Sequence, residues 1–237
     1  MLLLGPRVRV KLNKYRNKRR FDITPEPEGR SGASKRKNGR LIYVVQKHRA
    51  SQLHYDFRLQ WNGSLLSWAI PKGPSPDPSV KRLAMQVEDH PIEYAKFEGV
   101  IPKGEYGGGT VMIWDRGTWE PDDDTVDASL RRGELKFALF GEKLRGSWVL
   151  VRTRGYRSGS ARSWLLIKHR GAYASKQDIT SKAPRSVVSG RLLQEIAGDE
   201  GGDEEQAATG DPARQATLRA PKQKTSPAVP RARSQKA

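Results

Sequence analysis

Gln46 to Arg58 reads Q-K-H-R-A-S-Q-L-H-Y-D-F-R, and its second half alternates. Leu53, Tyr55, Phe57 and Leu59 fall on one parity; His54, Asp56 and Arg58 fall on the other. Period-two alternation predicts a half-buried β-strand with its apolar face on a core. The opposite face then presents an imidazole, a carboxylate and a guanidinium, each about 6–7 Å from the next. Gln46 and His48 stand just upstream. A plain solvated face would carry Lys, Glu and Thr instead.

Outward from this stretch the chain reads as β-structure. Leu41 to Val45 is apolar and β-branched. Asn62-Gly63 signals a hairpin into Leu65–Ile70. Pro71 to Pro78 holds four prolines in eight residues, a rigid loop that carries Lys72 past the strand end. Arg82–His90 alternates again: Leu83, Met85 and Val87 are assigned to the core, and Arg82, Glu88 and His90 to the polar face. The glycine-rich run 98–109 predicts tight turns, since it lacks the phosphate-cradling G-x-x-x-x-G-K-[ST] pattern. Further strands are expected at Thr110–Trp114, Glu134–Phe140, Ser147–Arg152 and Ser163–Lys168, and a helical turn at Ala128–Arg132. About eight short strands point to a mainly β fold, a closed or nearly closed antiparallel barrel with a few short helices and disordered basic tails. A sandwich is the alternative. The six tryptophans read as core or rim packing.

Composition bounds the rest. The net charge is +18, from 44 Lys and Arg against 26 Asp and Glu, which favours a polyanionic partner, nucleic acid first. Absence of cysteine excludes disulfides and thiolate metal sites. Leu2–Leu4 is too short for a signal-peptide core or a membrane span. A cytoplasmic, nucleoid-associated protein with no membrane partner is expected. Four segments are anticipated: a partly disordered basic arm at 1–40, the barrel at 41–175, an extension at 176–197 with a helix over Gly190–Ala197 capped by Ser189, and a disordered tail at 198–237. The arm carries 13 Lys or Arg against 3 Asp or Glu.

Two imidazoles and a carboxylate can hold a divalent transition metal and leave coordination positions open. His48, His54 and Asp56 form the natural set. Without thiolates it suits Mn²⁺, Zn²⁺ or Fe²⁺ better than Ca²⁺ or Mg²⁺. Arg58, Lys72 and Arg82 are expected beside the same face, where a metal ringed by cations matches a phosphate ester. Glu88 would orient an Arg or a His.

Several long segments carry a family resemblance: V-V-Q-K-H-R-A-S-Q-L-H-Y-D-F-R-L from Val44, L-L-S-W-A-I-P-K-G-P-S from Leu65, R-L-A-M-Q-V-E-D-H-P-I-E-Y from Arg82, F-E-G-V-I-P-K-G-E-Y-G-G-G-T-V from Phe97, W-D-R-G-T-W-E-P from Trp114 and W-L-L-I-K-H from Trp164. Together with L-x-x-Y-x-x-K-R from Leu12, T-P-E-P from Thr24 and P-R-S-V-V-S-G-R from Pro184, the chain resembles the 3′-phosphoesterase domain of bacterial DNA ligase D over about residues 10–197. The resemblance implies a β-barrel that uses Mn²⁺ by preference, with Co²⁺, Zn²⁺ or another divalent transition metal as substitutes. The implied activity trims DNA 3′ ends in non-homologous end joining, removing a terminal ribonucleoside and then the 3′-phosphate to leave a 3′-hydroxyl. It also implies that His48, His54 and Asp56 bind metal and that Arg58 and His90 grip the phosphate, with His90 stabilising the transition state or acting as general acid. Gln46, Lys72, Arg82, Glu88 and Tyr94 would support the site. The family's lead-in Arg-Asp pair and Glu would fall on Arg20, Asp22 and Glu26, although here the run is R-R-F-D-I-T-P-E.

No K-x-D-G ligase motif occurs, so a free-standing module is expected, meeting a separate ligase, polymerase or Ku-type end-binding protein at primer-template ends. Two other readings compete. A non-catalytic basic module would recruit a ligase to DNA ends. An iron oxygenase would use His54, Asp56 and His90 as a facial triad.

Overall fold

The computed structural model describes residues 12–29, 39–122, 125–153 and 162–213. Nine strands run in chain order as β1 (Leu41–Arg49), β2 (Leu53–Trp61), β3 (Ser64–Ile70), β4 (Lys81–Gln86), β5 (Gly99–Ile101), β6 (Gly109–Pro121), β7 (Glu134–Gly141), β8 (Arg145–Arg152) and β9 (Ser163–Lys168). Five short helices accompany them: α1 (Asn13–Arg16), α2 (Val126–Arg132), α3 (Ile179–Lys182), α4 (Leu193–Asp199) and α5 (Glu204–Ala208). The strands pair antiparallel in the order β1-β2-β3-β4-β9-β8-β7-β6, and β1 pairs again with β6. That last ladder closes an eight-stranded barrel and removes the sandwich alternative; β5 adds outside the ring, on β6.

Local chemistry explains the main turns. Asn62 and Gly63 both take positive φ (46° and 84°), as a two-residue hairpin matched to strand twist requires. They join β2 to β3 with Trp61 opposite Ser64. Tyr55, Phe57 and Leu59 face the barrel interior with Trp68, Trp114, Trp119, Trp148 and Trp164. Trp61 packs on the edge of the same core. The closing ladder is irregular: Val45 pairs with Asp115, but Gln46 pairs with Ile113. Trp114 is the extra residue of this bulge, which gives the strand its local bend. Asp115, fully buried beside it, accepts hydrogen bonds from Tyr43 Oη (2.6 Å) and from the amides of Lys143 and Leu144 (2.9 Å each).

Three segments differ from the sequence reading. In β4 the inward parity is the opposite one: Ala84 is fully buried and Leu83 is 39% exposed. Arg82 pairs with Leu166 and Ala84 with Trp164, both core residues, so Arg82 points to the barrel interior side. The three apolar residues Leu83, Met85 and Val87 suggested the reverse; the small Ala84 is what the crowded space under Trp164 admits. The C-terminal helix begins later than Gly190. Its first amides, Leu193 N and Gln194 N, are held by the distant Asp211 carboxylate rather than by Ser189. Structure also continues past residue 198: α4 and α5 contribute Leu193, Ile196, Ala197 and Ala207 to the main core, plugging one end of the barrel.

A second, smaller cluster lies on the outer face of β1–β3. Tyr15, Leu65 and Tyr94 are buried there, with Phe21, Ala95 and Phe97 packed around them. The segment 12–29 and the 3₁₀ turn Ile92–Lys96 thus roof the polar face of the first strands. Residues 1–11 and 30–38 of the anticipated arm, and 214–237 of the anticipated tail, lie outside the described residues.

Candidate metal centre

Antiparallel pairing sets His48 directly opposite His54, Gln46 opposite Asp56 and Val44 opposite Arg58. Paired residues share a face, so one short piece of two-stranded ladder gathers both imidazoles, the carboxylate and the guanidinium. Ligand atoms of His48, His54 and Asp56 all lie within 4.8 Å of one another. Asp56 Oδ2 is 3.7 Å from both His48 Nδ1 and His54 Nε2. The ring centroids are 4.7 Å apart.

Backbone carbonyls set the tautomers. His48 Nε2 lies 2.8 Å from Gly107 O, and His54 Nδ1 lies 3.0 Å from Gln52 O. A carbonyl only accepts, so each of these nitrogens carries the proton. The lone pairs of His48 Nδ1 and His54 Nε2 are then free, and both sit beside Asp56. Metal-bound histidines are held in this manner. Gly107 takes φ +81°, a backbone state glycine adopts freely, and a Cβ there would lie 3.6 Å from His48 Cε1. Burial pushes the His54 imidazole below its ordinary value, keeping it neutral as a ligand must be. Burial alone would raise the Asp56 carboxyl; the Arg58 guanidinium beside it instead holds it far below the usual carboxylate range. Two imidazole nitrogens and one carboxylate gathered in this way fit a divalent transition metal.

Arg58 is fixed on three sides. Its Nε donates to Gln46 Oε1 (2.8 Å), and its terminal nitrogens donate to Ser67 Oγ (2.9 Å) and Asp56 Oδ2 (3.1 Å). The Gln46 amide nitrogen in turn donates to Tyr94 O and Phe97 O (3.0 and 2.8 Å). The Tyr94 ring lies under the guanidinium, 4.8 Å away. His90 Nδ1 donates to Glu88 O at 2.8 Å, leaving Nε2 to accept from Arg19 at 3.3 Å. Burial, then Arg58 and Arg19, push the His90 imidazole well below its ordinary value. The free protein therefore holds His90 as a neutral acceptor, with no proton on Nε2 to give.

Arg19 entered the sequence analysis only as the last residue of the L-x-x-Y-x-x-K-R lead-in, with no site role given to it. Its side chain is only 5% exposed, whereas Arg20 is 65% exposed and pairs with Glu105. Asp22 is exposed as well. Arg19 Nε donates to Glu26 Oε1 at 2.8 Å, and the same oxygen accepts from Tyr94 Oη at 2.9 Å. The Glu88 carboxylate lies 3.6 Å from Arg19 and 2.9 Å from Lys18 Nζ. A helical-turn spacing was the one available signal: Tyr15 and Arg19 are four apart, and the guanidinium stacks 3.9 Å from that ring.

The cleft over these groups has a volume of about 330 Å³ and takes in Arg19, His48, His54, Asp56, Arg58, Glu88, His90 and Tyr94 among its walls. Arg82 and Lys72 are not part of it. Arg82 follows the inverted parity of β4, and its Nε is buried without a partner. Lys72 lines a different depression, with Lys47, Tyr55 and Asp211.

Residues 46–152 match the family model described as the DNA Ligase D 3′-phosphoesterase domain. Over 185 residues the chain is 52% identical to the multifunctional non-homologous end joining protein LigD of Pseudomonas aeruginosa, covering 77% of this chain and 22% of that protein. Over 147 residues it is 44% identical to the multifunctional non-homologous end joining DNA repair protein LigD of Mycobacterium tuberculosis, covering 62% and 19%. The LigD protein of Mycolicibacterium smegmatis is 42% identical over 150 residues, covering 61% and 19%. The chain spans about a fifth of the length of these curated relatives.

Proposed function

We propose, from the premise that residues 46–152 belong to the DNA ligase D 3′-phosphoesterase domain family, that this chain is a metal-dependent hydrolase that heals DNA 3′ ends for non-homologous end joining. One observation carries the reading: two imidazoles with carbonyl-set tautomers and an ionised aspartate converge within 4.8 Å beside a pinned arginine. That is a metal site built to face a phosphate ester.

His48, His54 and Asp56 would hold the ion, Mn²⁺ by preference. When bound, it would polarise a phosphoryl oxygen. Arg58 and Arg19 take the remaining non-bridging oxygens, and both are already oriented, so little reorganisation accompanies charge build-up. Glu26, Gln46, Ser67 and Tyr94 hold the two guanidiniums in place. His90 positions Arg19 through Nε2. In the monoester step, water adds to phosphorus, the P–O3′ bond breaks, and the primer leaves with a 3′-hydroxyl. Among the described residues no helix is long and apolar enough to cross a membrane. The proposed partners are DNA 3′ ends, with or without a terminal ribonucleotide, and a ligase activity.

A 3′-phosphate primer incubated with Mn²⁺ tests this. Phosphate release should stop in EDTA and fall at least 100-fold in His54→Ala and Asp56→Ala. Release that survives EDTA, or full activity in His54→Ala, would overturn the assignment.

A further inference from the structure

A larger cavity, about 760 Å³, lies next to the metal cleft. The two share Ala50, Ile101 and Gly107 as walls, so the Gly107 carbonyl that orients His48 also forms the partition between them. Their chemistry differs. The smaller cleft brings Arg19 and Arg58 to the ligand set. The larger one has Lys103, Glu105, Glu200 and Asp203 on its walls, with Glu105 paired to Arg20 and Glu200 3.5 Å from Arg191, so it is close to neutral. Glycine backbone from 104 and 107–109, with Val100 and Pro102, makes up much of the remaining wall. Such a chamber lacks the paired guanidiniums that the smaller cleft offers a phosphate. It offers acceptors to hydroxyl and amino groups and apolar surface to a ring, and its size falls in the range of small-molecule sites.

We infer that this chamber receives the terminal nucleoside during the diester step, while the phosphate that links it to the primer lies on the metal cleft. The inference rests on the phosphoesterase reading and adds the place and polarity of the leaving group. In that step water oxygen bonds to phosphorus and the P–O5′ bond breaks. The 5′-oxygen takes a proton, and the nucleoside departs through the chamber, leaving a 3′-phosphate. The departing group carries no phosphate, so it needs none of the cations that line the smaller cleft. The 3′-phosphate primer formed has nothing left in the chamber, so the second step depends on the smaller cleft alone.

Filling the chamber separates the two steps. Ser51, exposed on one wall, and Gln206 on α5 are the sites to fill. With Mn²⁺ and the full chain, kcat/KM is measured on a primer ending in one ribonucleotide and on a 3′-phosphate primer. The ratio of nucleoside release to phosphate release should fall at least tenfold in Ser51→Trp and in Gln206→Trp. Because the readout is a ratio within one preparation, a loss of folded protein does not mimic it. If either variant is inactive on both substrates, the other decides. A smaller change in ratio would overturn the inference, and so would a wild-type chain that releases phosphate but no nucleoside. A wild-type chain that releases neither would sink the phosphoesterase reading itself, and this inference with it.

Discussion

Arg19 and Arg20 are neighbours with the same charge, yet they do different work. The first is buried against Tyr15, Glu26 and His90; the second reaches solvent and meets Glu105. A buried, pre-oriented guanidinium aimed at developing charge is worth about 10²–10³ in rate, whereas an exposed ion pair contributes about 1 kcal/mol or less. Arg19→Ala should therefore slow 3′-phosphate release at least 100-fold, and Arg20→Ala should stay within threefold of wild type. Stopped-time assays on one 3′-phosphate primer compare them directly; equal losses would contradict the geometry. At the metal centre the readable part was residue type and spacing. His48, His54 and Asp56 could be chosen from the alternation, but the carbonyls of Gln52 and Gly107 that set their tautomers leave no mark in a side-chain pattern.

Among the elements, the bulge in the β1–β6 ladder is costly to disturb. Asp115 satisfies one tyrosine hydroxyl and two backbone amides inside the barrel wall. Asp115→Ala would strand the two backbone amides, while Tyr43 Oη keeps Leu144 O at 3.1 Å, and each unmade bond costs about 1–3 kcal/mol. Allowing for relaxation, a loss of about 3 kcal/mol is expected in urea unfolding. The β7–β8 turn carries a half-buried charged group. Lys143 lies 4.5 Å from the Trp114 ring centroid and donates to the carbonyls of Ala183 and Arg185 (2.9 and 2.6 Å). Burial lowers its pKa to about 8 from an ordinary 10.5. Between those values the unfolded chain holds a proton that the folded chain has lost, so stability rises with pH across that window. Below pH 8 both states are protonated and the penalty is fully present. The stability of wild type relative to Lys143→Met should therefore increase from pH 7 to pH 10. Paired urea midpoints read this out, and a flat difference would contradict the depressed value.

Over the molecule as a whole, the C-terminal segment is part of the barrel. Lys47 faces the interior beside Tyr55 and is paired at 3.1 Å with Asp211, both side chains essentially buried. The same carboxylate caps α4. Removing one partner of a buried pair leaves an uncompensated charge and costs about 3–5 kcal/mol. Asp211→Ala should lower stability by about that much, while Glu142→Ala, which breaks the exposed pair with Arg116, should change it by about 0.5 kcal/mol or less. Equal effects in urea titrations would mean that residues 204–213 do not plug the barrel. The roof over the candidate metal centre follows the same logic: the segment 12–29 is rich in charge and poor in apolar residues, but Tyr15, with Phe21 packed beside it, anchors it over Leu65 and Tyr94.

Periodicity and turn chemistry act between neighbours in the chain, and they were legible without coordinates. The alternation of 53–59 marks a strand with a polar face, Asn62-Gly63 marks the hairpin, and repeated short strands mark a barrel. The histidines and aspartate on that face, taken with the cations around them, mark a candidate metal site. Contacts across long separations were not legible. Which side of β4 faces inward depends on Trp164, 80 positions away in the register, and the pairing of Lys47 with Asp211 closes over 164 positions. Such choices are made by volume and charge meeting in space. Local pattern carries no information about them, because many alternative partners satisfy it equally well.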